Sequence, residues 1–466
     1  MAYPFAPPQH PDDLPRSVGD LERIGWQPRS VREEVRANVI ERVRRRQPLV
    51  NGMVGYDDTV LPELERALVS GHDLILLGER GQGKTRILRS LVGLLDPLVP
   101  AVEGSPLNED PFAPVLAATK ARLAEQGATT PIRWIAAAER YSEKLATPDT
   151  SIADLIGEVD PIKVAEGRTL EDPEVITFGL VPRANRGFFA INELPDLPER
   201  IQVGLLNALE ERDVQIRGFA LRLPLDVYFL ASANPEDYTA RGRLITPLKD
   251  RFGTQLRTHY PTTVEDEVAI MRQEAALPDP AVVIDTVIDE VVAQLAHLAR
   301  HHPAISRYSG VSVRGSIAAR EAIAAAALLR AVRAGEARPV ARLVDAEAAI
   351  PAFAGKIELD AHDTTERDVV AGLLSQAIVR TFTEHLGHVD VTGVIEETNQ
   401  RPLTIELEAP ITAWDQLLAE RPALAAALGD AGAGHPGVLA ELCLEGLVAT
   451  RRLGRQVLGG RQIYGR

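Results

Sequence analysis

The strongest constraint on the fold is the stretch Leu74-Ile75-Leu76-Leu77-Gly78-Glu79-Arg80-Gly81-Gln82-Gly83-Lys84-Thr85. A short apolar run enters a glycine-rich turn, and the apolar spacing of Ile87, Leu88, Leu91, Leu94 and Leu95 then predicts a helix. Strand, loop and helix in that order fit the phosphate-loop pattern G-x-x-x-x-G-K-[ST] at every fixed position. Glycines let consecutive backbone N–H groups turn inward around phosphate oxygens, where side chains would block the approach. Lys84 is expected to place its ammonium on the outer phosphates, and Thr85 to offer its hydroxyl to Mg²⁺. Residues 78–85 therefore predict a nucleoside triphosphate site.

Hydrolysis at such a site needs acidic groups at the end of a neighbouring strand, one serving the metal shell and one the attacking water. The run Phe188-Phe189-Ala190-Ile191-Asn192-Glu193 offers them. Glu193 stands where the base is expected. Asn192 stands where an aspartate is usual, and its amide accepts hydrogen bonds but brings no charge, so slow turnover is a direct expectation. Asn234 ends the next apolar run and is placed to hold the lytic water or touch the γ-phosphate. Arg251 fits an arginine reaching a neighbouring subunit's nucleotide, and Arg314 opens a later helix from which it would reach the γ-phosphate of its own subunit.

With 466 residues the chain exceeds one compact core. The formal net charge of -15 works against nucleic acid as a default partner. The single cysteine, Cys443, reads as a small buried apolar residue and fits a reducing compartment. No secretion signal and no membrane span are expected, which together predict a cytoplasmic protein.

Along the chain, residues 1–28 read as a loose leader. Residues 30–46 read as an amphipathic helix capped by Ser30 with Glu33. Residues 59–70 form a helix that delivers the chain to the loop, and 97–130 a polar insertion with acidic character. Strands are expected at 132–135, 186–191 and 227–231, with a helix around 205–209 between the last two. A hairpin turning near Gly218 is expected over 214–223. Strands alternating with helices imply a doubly wound parallel α/β sheet with its site outside the carboxyl ends of the strands. The expected domains are a leader with one helix (1–48), a nucleotide-binding α/β domain (49–259), a helical lid (260–386) and a small C-terminal domain of winged-helix type (387–466). Within that last part, 389–396 and 405–407 read as strands, 414–428 as helix, and the end as a helix followed by a glycine-turned hairpin.

Taken together, the loop, Asn192-Glu193, Asn234, Arg251 and Arg314 resemble an AAA+ ATPase, and within that class the ATPase subunit (subunit I) of magnesium chelatase and the MoxR-type ATPases. The resemblance runs through Leu155-Ile156-Gly157-Glu158-Val159-Asp160 and Gly167, then Phe178-Gly179-Leu180-Val181-Pro182-Arg183-Ala184-Asn185-Arg186-Gly187. It continues in Ser232-Ala233-Asn234-Pro235-Glu236-Asp237 and Leu248-Lys249-Asp250-Arg251-Phe252-Gly253, and covers roughly residues 50–320. It implies ATP and Mg²⁺ as cofactors, with Thr85 and Asn192 on the metal side. Glu193 would be the catalytic glutamate, Asn234 sensor 1, Arg251 the arginine finger and Arg314 sensor 2. Val54, Gly55 and Tyr56 would lie near the adenine, and the segments 167–181 and 214–223 would be the insertions of this clade. A homo-hexameric ring and a partner with a von Willebrand factor A domain are implied in the same way.

Three departures stand out: Asn192, the added insertion 97–130 and the unmatched residues 387–466. They point to a chelatase-like relative, not a chlorophyll-pathway subunit. Two alternatives stay open. One is an alternative-sigma-factor activator, to which 194–198 and 205–211 also have likeness, although the Gly-Ala-Phe-Thr-Gly-Ala loop of that family is missing. Its DNA reader would be the basic end with Arg451, Arg452, Arg455, Arg461 and Arg466. The other is a nucleotide-gated binding module that hydrolyses little.

Overall fold

The computed structural model describes residues 14–165, 175–215, 222–234, 244–306, 310–360, 364–429 and 434–465. The expected turn at Gly218, the segment 235–237, Gly167 and Arg466 lie outside the described residues. The chain divides into two compact units, Met1–Glu79 with Gly83–Thr258, and Arg80–Gln82 with His259–Arg466.

The first unit is built on five parallel strands: β1 (Leu74–Leu77), β2 (Tyr141–Leu145), β3 (Gly187–Asn192), β4 (Val227–Ala233) and β5 (Thr254–Arg257), in the order β5-β1-β4-β3-β2. The three inner strands are buried along their whole length, as expected of a parallel sheet covered on both faces. Their side chains alternate between two cores with the two-residue period of a strand. Leu74, Leu76, Phe188, Ala190, Tyr228 and Leu230 pack with the helices Val31–Arg44, Val60–Ser70 and Lys84–Ser90. Ile75, Leu77, Phe189, Ile191, Phe229 and Ala231 pack on the other face with Ile201, Leu205 and Leu209 of the helix Glu199–Glu210.

Several expectations are corrected. The strand expected at 132–135 exists as Ile132–Ala136, but it pairs antiparallel with Leu98–Val102 in a separate ribbon. Its place in the sheet is taken by β2, whose Tyr-Ser-Glu-Lys-Leu sequence carries little apolar signal because it is a half-exposed edge. The stretch 97–130 is no loose insertion. It holds a strand, a helix (Ala117–Gln126) and the fully buried Glu109, whose carboxylate accepts from Ser105 Oγ and from the Val115 and Leu116 N–H groups, each at 2.7 Å.

Nor are residues 14–28 loose. Ser17 caps a helix, Val18–Arg23, whose first N–H donates to the Thr130 carbonyl, and Trp26 meets Trp134 edge to face at 5.6 Å. Ser30 and Glu33 do form the predicted capping box.

In the second unit one continuous core runs from Val268 to Tyr464, so the boundary placed near 387 falls inside shared packing. The helical region expected from residue 260 onward includes the helices Val264–Glu274, Thr286–Arg300 and Val313–Ala334. Residues 389–396 are not a strand: Val391, Val394 and Thr398 are buried at helical spacing, and the helix is Thr392–Gln400. The helix expected over 414–428 is two, Ile411–Ala419 and Pro422–Gly429. The closing hairpin is β7 (Arg455–Leu458) and β8 (Arg461–Tyr464), which β6 (Leu403–Glu406) joins in the order β6-β8-β7, and its turn uses Gly459 and Gly460 at positive φ. The helix before it, Pro436–Ala449, is buried from Gly437 through Leu447 and contains Cys443.

Candidate functional site

The parallel register sets the site. β1 ends at Leu77 beside Ala233, and β4 pairs Ala231 with Ile191, so the loop, Asn234 and Asn192-Glu193 all emerge at one edge of the sheet. The Gly78 N–H donates to the Ala233 carbonyl at 3.1 Å, which ties the start of the loop to the strand that ends in Asn234. Gly81 and Gly83 hold φ of 79° and 75°. A Cβ at Gly83 would have to displace the Met53 methyl, 2.8 Å away, and the positive φ there is what favours glycine. Lys84, 6% exposed, donates to the carbonyls of Gly78 and Glu79 and so folds back along the loop.

Asn192 lies at the centre of a polar network. Its Oδ1 faces the Thr85 hydroxyl at 3.5 Å and accepts from Ser232 Oγ at 3.1 Å, and the Ser232 hydroxyl in turn accepts from the Glu193 N–H at 3.2 Å. Its Nδ2 donates to Glu143 Oε1 at 2.5 Å. Glu193 follows at φ 53° and ψ 48°, the left-handed region that a non-glycine residue occupies only at a cost. Strain at this position is the kind that persists at functional sites.

Sequence reasoning gave Glu143 and Ser232 no role. Glu143 is an ordinary glutamate in a polar edge strand, and nothing local marks it. In the structure Arg89 grips it through Nε at 2.8 Å and Nη2 at 3.0 Å, and Tyr141 donates to it at 3.2 Å. Those Arg89 hydrogen bonds hold the Glu143 carboxyl below the usual range, against the opposing effect of burial.

The donor set of hydroxyl, amide oxygen and a nearby carboxylate is made of hard oxygens, the chemistry that suits Mg²⁺. The other expected residues are placed as follows. Asn234 is 4% exposed at the end of β4. Arg251, at the end of the helix Thr246–Arg251, pairs with Glu210 at 2.8 Å and donates to the Pro247 carbonyl. Arg314 is the exposed second residue of the helix Val313–Ala334, with Ser312 as its cap. Tyr56 is buried in the core beside Val60 and Leu64, while Val54 and Gly55 are half-buried. Among the described residues no helix is long and apolar enough to cross a membrane.

No family model matches the chain. It is 29% identical over 207 residues to magnesium-chelatase subunit ChlI of Anabaena variabilis, covering 43% of this chain and 57% of the relative. It is 30% identical over 207 residues to the magnesium-chelatase 38 kDa subunit of Cereibacter sphaeroides, covering 44% and 56%. The chain thus spans about half the length of the curated relatives it matches. Among solved structures, the complex of magnesium-chelatase subunits BchI and BchD has a chain that aligns over 69% of this one and 98% of its own, at 22% identity and a TM-score of 0.35. NtrX of Brucella abortus in complex with ATP aligns over 83% and 72%, at 14% identity and a TM-score of 0.41.

The phosphate-loop sequence on a five-stranded parallel sheet, followed by a helical region, is an α/β architecture similar to that of AAA+-type proteins. Within that class the chain is a distant homologue of the magnesium-chelatase ChlI and 38 kDa subunits.

Proposed function

We propose that this chain is a magnesium-chelatase-like AAA+ ATPase, which binds and hydrolyses ATP in an oligomeric ring and uses the cycle to remodel or activate a partner protein. The observation that carries this reading is the meeting of Thr85, Asn192, Ser232 and Glu193 at the strand edge where the loop begins. Backbone N–H groups of residues 78–85 would cradle the phosphates, with Lys84 released from the loop carbonyls onto them. Thr85 and Asn192 would hold Mg²⁺, which supplies charge neutralisation on the phosphates. Glu193 would orient the attacking water and take its proton, and Asn234 would fix the water's position.

Arg251, carried on a short helix, would act on the nucleotide of a neighbouring subunit once freed from Glu210. That role needs an oligomer, and a homo-hexamer is the form we propose. BchI, to which this chain is similar, forms a complex with BchD. A partner with a von Willebrand factor A domain is the corresponding proposal here, with metal insertion as one use of the cycle.

The uncharged Asn192 favours a second reading, in which hydrolysis is slow and ATP mainly orders a binding surface. In the basic end assigned to the sigma-factor reading, Arg451 and Arg452 are exposed, while Arg455 pairs with Glu445 at 2.7 Å and Arg461 with Glu406 at 3.3 Å, so two of its cations are already met by carboxylates.

Glu193→Gln separates binding from chemistry. It is expected to keep ATP affinity and to lower turnover by about 10²–10⁴-fold, as loss of a general base does. Turnover equal to that of the unaltered protein would remove Glu193 from the mechanism.

A further inference from the structure

An amide has one end that accepts and one that donates, and only the oxygen can serve a metal or its bound water. Which end of Asn192 faces Thr85 therefore decides whether the site can hold a cation. The two hydroxyls on the oxygen side, Thr85 Oγ1 and Ser232 Oγ, can each donate or accept, so they tolerate either orientation. Glu143 does not. Its carboxylate only accepts, and it sits 2.5 Å from Asn192 Nδ2. It is itself locked by Arg89 Nε, Arg89 Nη2 and Tyr141 OH, so its oxygens are taken up without reaching the loop.

We propose that Glu143 is a positioning residue of this nucleotide site: it pins the Asn192 amide with the oxygen toward Thr85 and sets a carboxylate beside the residue that lacks one. The inference rests on the ATP-binding reading above. It also changes the meaning of Asn192→Asp. That substitution alone would press two carboxylates together, and like charges at this distance disfavour joint ionisation. The conventional residue would be out of place here because its neighbour has adapted to asparagine.

The test is a titration of the full chain with a fluorescent ATP analogue, in EDTA and across Mg²⁺ concentrations. Glu143→Ala is expected to raise the Mg²⁺ concentration at half-saturation about tenfold, the scale of one charge-assisted hydrogen bond, and to exceed any change in affinity measured in EDTA. In an Asn192→Asp background the effect reverses, because removing Glu143 then relieves repulsion and lowers the half-point. Arg89→Ala, which breaks the ion pair but leaves the carboxylate, is expected to shift it less than Glu143→Ala.

A half-point unmoved by Glu143→Ala, a shift of the same sign and size in both backgrounds, or equal losses with and without Mg²⁺ would each overturn the proposal while leaving the ATP site standing. Absence of any Mg²⁺-dependent binding by the unaltered protein would overturn both.

Discussion

In the proposed mechanism Glu193 carries the chemistry, and its own backbone carries the strain. A left-handed backbone costs a non-glycine residue about 1–2 kcal/mol, and more for a β-branched one. Glu193→Val is therefore expected to be less stable than Glu193→Gly by ~1–2 kcal/mol, with both inactive, as urea denaturation would show. Equal stabilities would mean that the strain is absent in solution.

Glu143 makes a pH prediction at the same scale. Its carboxyl is held below the ordinary glutamate value of 4.5, chiefly by the hydrogen bonds from Arg89, so the unfolded chain binds the proton first as pH falls. The stabilisation is then fully present above about pH 4.5 and fades as pH drops below it. Thermal melts should show a gap between the unaltered protein and Glu143→Gln that is constant from pH 7 to 5 and closes under more acid conditions. A gap that widens on acidification would have the wrong sign.

At the scale of elements, the site depends on how the edge of the sheet is fixed. Arg140, just before β2, donates to both oxygens of Glu34 at 2.7 and 2.6 Å and to the Arg186 carbonyl at 2.7 Å, and the Arg140 and Glu34 side chains are 1% and 4% exposed. This pair ties β2, and so Glu143, to the helix Val31–Arg44 and the start of β3. Breaking a buried pair from one side leaves an uncompensated charge, so Glu34→Ala should cost about 3–5 kcal/mol in denaturant unfolding. A loss under about 1 kcal/mol would show that the pair is solvated.

What was legible follows from where the signal is strong. The loop, the apolar strands β1, β3 and β4, and the Ser30 cap declare themselves locally, because burial on both faces writes long apolar runs and caps need specific residues. Edge strands do not. β2 and β5, the latter with Leu256 as its one apolar residue, are held by backbone pairing to a buried neighbour, and no short-range pattern records that. For the same reason Asn192 and Glu193 could be found from their place after an apolar run, while Glu143, two residues before the end of a strand that left no signal, could not.

At the scale of the whole molecule, a trans role for Arg251 requires assembly. Arg251→Ala is expected to leave the ATP affinity of the isolated chain nearly intact and to lower turnover by about 10³-fold or more, the lower range of an arginine finger. A large loss of affinity in dilute protein would place Arg251 at its own chain's nucleotide instead. The formal net charge of -15 works at this scale against nucleic acid as a default partner.

The most direct test of the central claim is the Mg²⁺-dependent rate of ATP hydrolysis per chain, measured across protein concentration beside Lys84→Ala. The rate is expected to climb with concentration as rings form, and to be absent at every concentration for Lys84→Ala, which loses the buried ammonium of the loop. A rate independent of concentration would contradict assembly with Arg251 in trans. A rate that survives Lys84→Ala would contradict the site itself.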